Sequence, residues 1–164
     1  MNPFKEEVLR SWNYTVKAGD TLQDEWLLSD FADGKYHLRV YGPNGFFREF
    51  EGDQKDPALG IICSYEKDAK NPLKLSGNVI FTVTNQAANA KELVFSDESY
   101  KTGSKTLKVP AKGKSSIVFD LGKNYNWYDI SLNISGNAGF KQRFSGRVET
   151  GSVTKTDPLM GRLI

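Results

Sequence analysis

The sequence predicts an all-β fold of the immunoglobulin-like β-sandwich type, and three observations support this prediction. Fifteen glycines and six prolines are spread along the 164 residues and separate short segments. These segments are rich in β-branched and aromatic residues, and many alternate between polar and apolar positions. No segment has the period of an amphipathic helix. Short alternating strands separated by turns are typical of a β-sandwich.

Eleven segments are predicted as strands, because each lies between turn residues and carries β-branched or aromatic side chains. The clearest alternation is that of Val79, Phe81 and Val83 with polar threonines, which predicts a strand with one buried face. Leu93 and Phe95 are predicted to lie in its partner strand. The predicted strands are residues 12–17, 21–28, 35–41, 46–51, 59–65, 78–85, 92–96, 105–109, 115–120, 127–134 and 140–148.

A repeated motif is the strongest internal signal. The pattern G-F-x-x-x-F-x-G occurs twice, at an offset of 94 residues. Each copy follows a predicted strand with a tyrosine near its start, Tyr36 in one and Tyr128 in the other. The motif positions are Gly45, Phe46, Phe50 and Gly52 in the first copy and Gly139, Phe140, Phe144 and Gly146 in the second.

The repeat predicts two β-sandwich units, of which the first is incomplete. The two phenylalanines of each copy face the same side of a strand and are predicted to lie in the core, while the glycines allow a turn before the strand and a kink after it. Residues 1–52 are predicted to form a partial first unit, residues 53–150 a complete second unit and residues 151–164 a tail. The open sheet edges of a partial unit must pack on the second unit, pair with another chain or continue into further sequence.

Several longer motifs identify a family. Residues 42–52 read G-P-N-G-F-F-R-E-F-E-G, and residues 127–129 read W-Y-D. Residues 143–151 read R-F-S-G-R-V-E-T-G, and residues 157–161 read D-P-L-M-G. With these motifs the chain resembles the tandem C-terminal domains of bacterial phosphocholine-preferring phospholipases C.

The resemblance implies a non-catalytic accessory role. In this family the C-terminal domains follow a catalytic domain in the same parent chain, which hydrolyses phosphatidylcholine or sphingomyelin, and the enzymes are secreted or periplasmic. No catalytic residue of that domain is recognisable here, and the resemblance implies that the early part of the first unit is missing, as in a fragment or a truncated gene. Residues 1–10 contain no apolar stretch that could serve as a signal peptide.

Cysteine and histidine counts restrict the chemistry further. Because Cys63 and His37 are the single residues of their types, an internal disulfide, a thiolate zinc site and a multi-histidine metal site are excluded. We therefore expect no metal and no cofactor. His37 is predicted to face solvent, since it is opposite in phase to Leu38 and Val40. Cys63 is predicted to be a buried structural thiol.

Charge provides one candidate lipid-binding surface. The net charge of +2 gives no bias toward nucleic acid, but residues 1–56 carry 7 basic and 11 acidic side chains, whereas residues 57–164 carry 15 and 9. A lysine-rich hairpin in the second part could contact an anionic membrane, or it could be a solvated face that guards a sheet edge against pairing. Its lysines are Lys101, Lys105, Lys108, Lys112 and Lys114.

Aromatic residues provide a second candidate surface. Tyr125 and Trp127 could cage a choline head group by cation–π attraction or lie at a lipid interface, and packing is the alternative. Trp127 and Tyr128 face opposite sides of a strand, so at least one of them is expected in the core.

The leading hypothesis is a C-terminal module of a phospholipase C that supports the catalytic domain or its approach to lipid. One alternative is a free-standing module that binds carbohydrate or lipid head groups. The other is a structural or adhesive β-sandwich that associates with itself through its open sheet edges.

Overall fold

A computed structural model describes residues 4–7 and 9–160. Three single-turn 3-10 helices lie at Leu28–Asp30, Ala32–Gly34 and Gly122–Asn124. The strands of the described residues are β1 (Lys35–Tyr41), β2 (Phe47–Asp53), β3 (Leu59–Lys67), β4 (Leu75–Asn85), β5 (Lys91–Asp97), β6 (Ser104–Val109), β7 (Lys114–Phe119), β8 (Trp127–Ile134) and β9 (Asn137–Arg147).

These strands form two antiparallel sheets that pack as a sandwich, which confirms the predicted fold class. The six-stranded sheet has the order β1-β2-β9-β8-β5-β6, and the three-stranded sheet has the order β3-β4-β7. In the described part of the chain, no helix is long and apolar enough to cross a membrane.

The core lies between the two sheets around β4. Val79, Phe81 and Val83 have no exposed surface, and the Phe81 ring lies 5.2 Å from that of Phe95 and 5.3 Å from that of Phe144. The prediction that Leu93 and Phe95 belong to the partner strand of β4 is wrong. They lie in the opposite sheet and contact β4 across the core, whereas β4 is hydrogen-bonded to β3 and β7.

The predicted strands at residues 12–17 and 21–28 are absent from the structure, although the two segments do face each other. Trp12 packs on Trp26 with ring centroids 5.2 Å apart, and the Tyr14 hydroxyl donates a hydrogen bond to Asp24. No backbone ladder joins the segments, and most of their residues are exposed. An isolated two-stranded hairpin is marginal in water, because it has no third strand or second layer on which to pack. We call residues 12–27 the arm.

The two copies of the repeated motif lie in neighbouring strands. The β1–β2 pair is the first hairpin and the β8–β9 pair is the second hairpin. Tyr36 lies opposite Gly52 in the first hairpin as Tyr128 lies opposite Gly146 in the second. The hairpins join through an antiparallel β2–β9 pairing. The first hairpin therefore extends the sheet of the second.

The motif phenylalanines differ in their burial. Phe140 and Phe144 are buried in the core as predicted, and Phe50 packs against it. Phe46 is 39% exposed, so its predicted core position is wrong. It lies in the turn before β2, where the Arg48 guanidinium stacks on its ring at 4.2 Å.

The motif glycines also differ in their roles. Gly45 has a φ of +73°, as a turn before the strand requires, and Gly146 has a φ of +155°. A Cβ atom on Gly146 would lie 3.0 Å from the Tyr128 hydroxyl. The predicted turn at Gly139 is wrong, because this residue lies inside β9 and the turn uses Gly136, with a φ of +82°.

Phe81→Ala should lower the free energy of unfolding by about 3 to 5 kcal/mol, because it leaves a cavity among three packed rings. Ile62→Ala is the matched control on the adjacent strand: Ile62 is 62% exposed, so the expected change is within about 0.5 kcal/mol. Urea unfolding followed by circular dichroism measures both. Equal losses in the two variants would contradict the assignment of the core to the space between the sheets.

Candidate functional site

Polar side chains lie buried on the outer face of the six-stranded sheet, which we call the polar face. Asp129 and Ser131 alternate along β8 with the core residues Tyr128 and Ile130, yet they are only 6% and 1% exposed. The segment that follows β5 lies over them, because the Ser99 hydroxyl donates to Asp129 and the Ser131 hydroxyl donates to Glu98. Buried polar groups of this kind need hydrogen-bond partners.

Asp129 is the centre of the first cluster on the polar face. Arg143 donates from Nε to Oδ1 at 2.7 Å and from Nη2 to Oδ2 at 2.6 Å, and the Ser145 hydroxyl donates to Oδ1 at 2.6 Å. Burial alone raises the pKa of Asp129, but the hydrogen bonds from Arg143, Ser145 and Ser99 outweigh burial and lower the pKa. The carboxylate is therefore held ionised.

Glu49 is the centre of the second cluster. Its Oε1 atom lies 2.7 Å from His37 Nε2 and accepts a hydrogen bond from Arg39 Nε at 2.7 Å, while Lys141 Nζ lies 3.9 Å from Oε2. Burial alone raises the pKa of Glu49, but the hydrogen bonds from His37 and Arg39 outweigh burial and lower the pKa. The prediction that His37 faces solvent is wrong, because its side chain is only 16% exposed and lies between Glu49 and Glu51.

The Glu49 cluster also offers a possible set of metal ligands. Ligand atoms of His37, Glu49 and Glu51 lie within 4.8 Å of one another. The guanidinium of Arg39 already occupies the Glu49 oxygen that faces His37, and Lys141 adds a second positive charge nearby. A divalent cation would have to displace Arg39 and overcome this repulsion. The arrangement is thus that of an ion-pair network.

Cys63 packs against the core from β3 and is half-buried. Burial raises the pKa of its thiol to about 11. The thiolate fraction at neutral pH is therefore small, which agrees with a structural role.

The candidate lysines do not share one surface. Lys105 lies opposite Phe95 at the edge of the core, where its ammonium group is 4.6 Å from the Phe119 ring and donates to the Val118 carbonyl at 2.9 Å. Lys108 forms an ion pair with Glu92 at 3.6 Å. The remaining members are Lys101, which precedes β6, Lys112, which donates to the Gln86 carbonyl, and Lys114, which begins β7.

Tyr125 and Trp127 contact the tail. The Trp127 indole donates to the Lys155 carbonyl at 3.1 Å, and the Lys155 ammonium lies 4.6 Å from the centre of the Tyr125 ring. Tyr128, on the other side of the strand, is 2% exposed, which agrees with one core residue in the pair. Both candidate aromatics therefore have partners within the chain.

A shallow cleft of about 200 Å³ lies between the turn of the first hairpin and the end of β9. Phe46 and Tyr65 line it together with Arg147 and Glu149, which are 3.7 Å apart. Sequence reasoning missed this cleft, because its residues come from three distant segments. It also missed the polar face, which the alternation of Asp129 and Ser131 with apolar neighbours could have indicated.

Asp129→Asn should lower the free energy of unfolding at pH 7 by about 2 kcal/mol, because Arg143 loses its buried anion. The pKa of Asp129 is lower in the folded chain than in the unfolded chain, so its stabilising contribution is complete above the unfolded pKa and is lost as the pH falls below about 4. The difference between the variant and the unsubstituted chain should shrink in acid. Urea unfolding at pH 7 and at about pH 3 measures this.

The exposed residue Asp20 provides the control for that experiment, since Asp20→Asn should leave both measurements unchanged. A constant difference between Asp129→Asn and the unsubstituted chain at both pH values would contradict the ionised buried carboxylate.

Trp127→Phe should increase the rate of trypsin cleavage after Lys155 about fivefold, because it removes one hydrogen bond of about 1 kcal/mol that holds the tail. Gel analysis of the cleaved product over time measures the rate. Trp12→Phe in the arm is the control and should leave the rate unchanged. An unchanged rate in Trp127→Phe would show that this contact does not hold the tail.

Comparisons with known proteins assign the family. The family described as "Bacterial phospholipase C, C-terminal domain" matches residues 2–53 and 61–147. A non-hemolytic phospholipase C of Pseudomonas aeruginosa is 35% identical over 156 residues, which cover 90% of this chain and 21% of that protein. A non-hemolytic phospholipase C of Burkholderia pseudomallei is 32% identical over 153 residues, which cover 91% of this chain and 21% of that protein.

The hemolytic phospholipase C of Pseudomonas aeruginosa is 32% identical over 153 residues, with 87% of this chain and 19% of that protein covered. The chain spans about a fifth of the length of these relatives. The two segments that match the family together extend over most of the chain. The chain therefore belongs to the family of bacterial phospholipase C C-terminal domains.

Proposed function

We propose that the chain is the non-catalytic C-terminal accessory module of a bacterial phospholipase C that acts on phosphatidylcholine or sphingomyelin. The observation that carries the proposal is the match to a C-terminal domain family by a chain that covers only about a fifth of its relatives. The partner is then a catalytic domain in the same parent chain, and the parent enzyme acts outside the cytoplasm, secreted or in the periplasm.

The side-chain chemistry of the described residues supports a non-catalytic role. Hydrolysis of a phosphodiester needs metal ligands with an open position, or a nucleophile beside a general base. Asp129 and Glu49 are ionised and already accept hydrogen bonds from arginine, and the Cys63 thiol has a raised pKa. These groups serve the packing and hydrogen bonding of the two sheets, as a non-catalytic module requires.

A second candidate function is binding of a lipid or carbohydrate head group, and the cleft between Phe46 and Tyr65 favours it. Aromatic walls with a nearby carboxylate, here Glu149, can attract an organic cation. The ion pair of Glu149 with Arg147 would weaken that attraction. The accessory role therefore stays the leading proposal.

Immunodepletion of culture medium from the source cells tests the leading proposal. An antibody raised against the purified chain should recognise a band several times larger than 18.4 kDa and should remove the activity that releases phosphocholine from phosphatidylcholine or sphingomyelin vesicles. The purified chain itself should release none. Antibody preadsorbed with the chain is the control and should leave the activity in the medium.

A band at 18.4 kDa together with undiminished activity would contradict the proposal. Phosphocholine release by the purified chain would contradict its non-catalytic part.

A further inference from the structure

The outer edge of β1 is open. β1 is the terminal strand of the six-stranded sheet, and among the described residues no strand pairs with its outer side. Tyr41, at the end of β1, is 73% exposed. Natural proteins rarely leave a sheet edge of this length uncovered, because its unpaired N–H and C=O groups invite other strands.

The second hairpin shows what such an edge binds. His37 lies opposite Glu51 as Asp129 lies opposite Ser145, so the two hairpins have the same register. Val40 of β1 therefore occupies the position that Leu132 has in β8. The edge of β8 that corresponds to the outer edge of β1 pairs with β5, and Leu132 lies opposite Phe95 in that pairing.

Exposure at these two corresponding positions differs sharply. Leu132 is 0% exposed, because β5 lies beside it and the three-stranded sheet packs over it, whereas Val40 is 48% exposed. Core residues lie almost entirely in the second part of the chain. Among the described residues before β2, Phe31 is the one buried apolar residue. The first hairpin thus has an apolar face and a free edge at the same place.

We propose that the outer edge of β1, at residues 38–41, binds one antiparallel strand with alternating apolar side chains, as β8 binds β5, and that chain outside these 164 residues supplies this strand in the parent protein. Main-chain hydrogen bonds give such strand addition its affinity, and the alternating side chains give its specificity. Only the source of the strand rests on the proposed function. The relatives, about five times longer than the match, provide the length of chain that this source requires.

A second copy of the chain fits this edge less well. Lys35, His37 and Arg39 lie on one face of β1, because they alternate along the strand. An antiparallel pairing of two β1 strands centred on His37 would place Lys35 of one copy opposite Arg39 of the other. Like charges directly opposite each other destabilise a strand pair.

A synthetic peptide with the sequence of β5, Lys91–Asp97, is the probe for this edge. Added to the ¹⁵N-labelled chain, it should shift the amide resonances of residues 38–41 in a saturable manner. It should slow the hydrogen exchange of Arg39 and Tyr41, whose amides point away from β2, because the Gly42 N–H donates to Phe46 and the hydrogen-bonded positions alternate along the strand. The same peptide with Val94→Pro should bind at least tenfold more weakly, because proline removes a backbone donor and disfavours a paired strand.

Two variants of the chain locate the binding site. Val40→Asp should weaken peptide binding at least tenfold, because it places a charge on the apolar face of β1. Val153→Asp is the matched control, since Val153 is fully exposed in the tail, and it should leave binding unchanged. Both positions are exposed, so both variants should keep the amide spectrum of the folded chain.

Shifts that are absent, or confined to β6 or β8, would overturn the proposal. A chain that is already dimeric, with the outward amides of Arg39 and Tyr41 protected before peptide is added, would overturn it in favour of a second copy. Both outcomes are independent of the immunodepletion experiment, so a failure of strand binding is distinguishable from a failure of the proposed function.

Discussion

The pairing of β2 with β9 is the contact on which the first part of the chain depends. Glu49 lies directly opposite Arg143 at the centre of this pairing, and Phe50 and Phe144 flank it with ring centroids 6.2 Å apart. The first hairpin has little core of its own, because the three-stranded sheet comes entirely from residues 59–119. Its pairing with β9 gives the first hairpin backbone hydrogen-bond partners along one side. The same pairing places one face of the hairpin against the edge of the main core.

The polar face continues across the same pairing. Glu49 pairs with Arg39 inside the first hairpin and Asp129 pairs with Arg143 inside the second. Lys141 of β9 lies 3.9 Å from Glu49 and connects the two clusters across the β2–β9 pairing. Removing one member of such a buried pair leaves an uncompensated charge, which makes the network sensitive to single substitutions. The same network explains why these titratable groups contribute to the stability of the sheet.

The sequence predicted which face of a strand is buried better than it predicted which strands pair with each other. Alternation placed Val79, Phe81 and Val83 in the core, but it could not tell that Leu93 and Phe95 face them from the other sheet, since a period of two is the same in every strand. His37 was assigned the correct side of β1, and only the fold shows that Glu49 closes that side. The arm alternates like a strand, yet it pairs through Trp12 and Trp26 without a backbone ladder, because none of the described strands lies beside it.

Native-state hydrogen exchange of the intact chain measures most directly whether the first hairpin depends on the second. If β2 and β9 hold it in place, amides of β1 should exchange through openings of lower free energy than those of β4 and β8, and amides of β2 should lie between these extremes. Exchange in β1 as slow as in β4 and β8 would show that the first hairpin is as stable as the main core, and would contradict its dependence on the β2–β9 pairing.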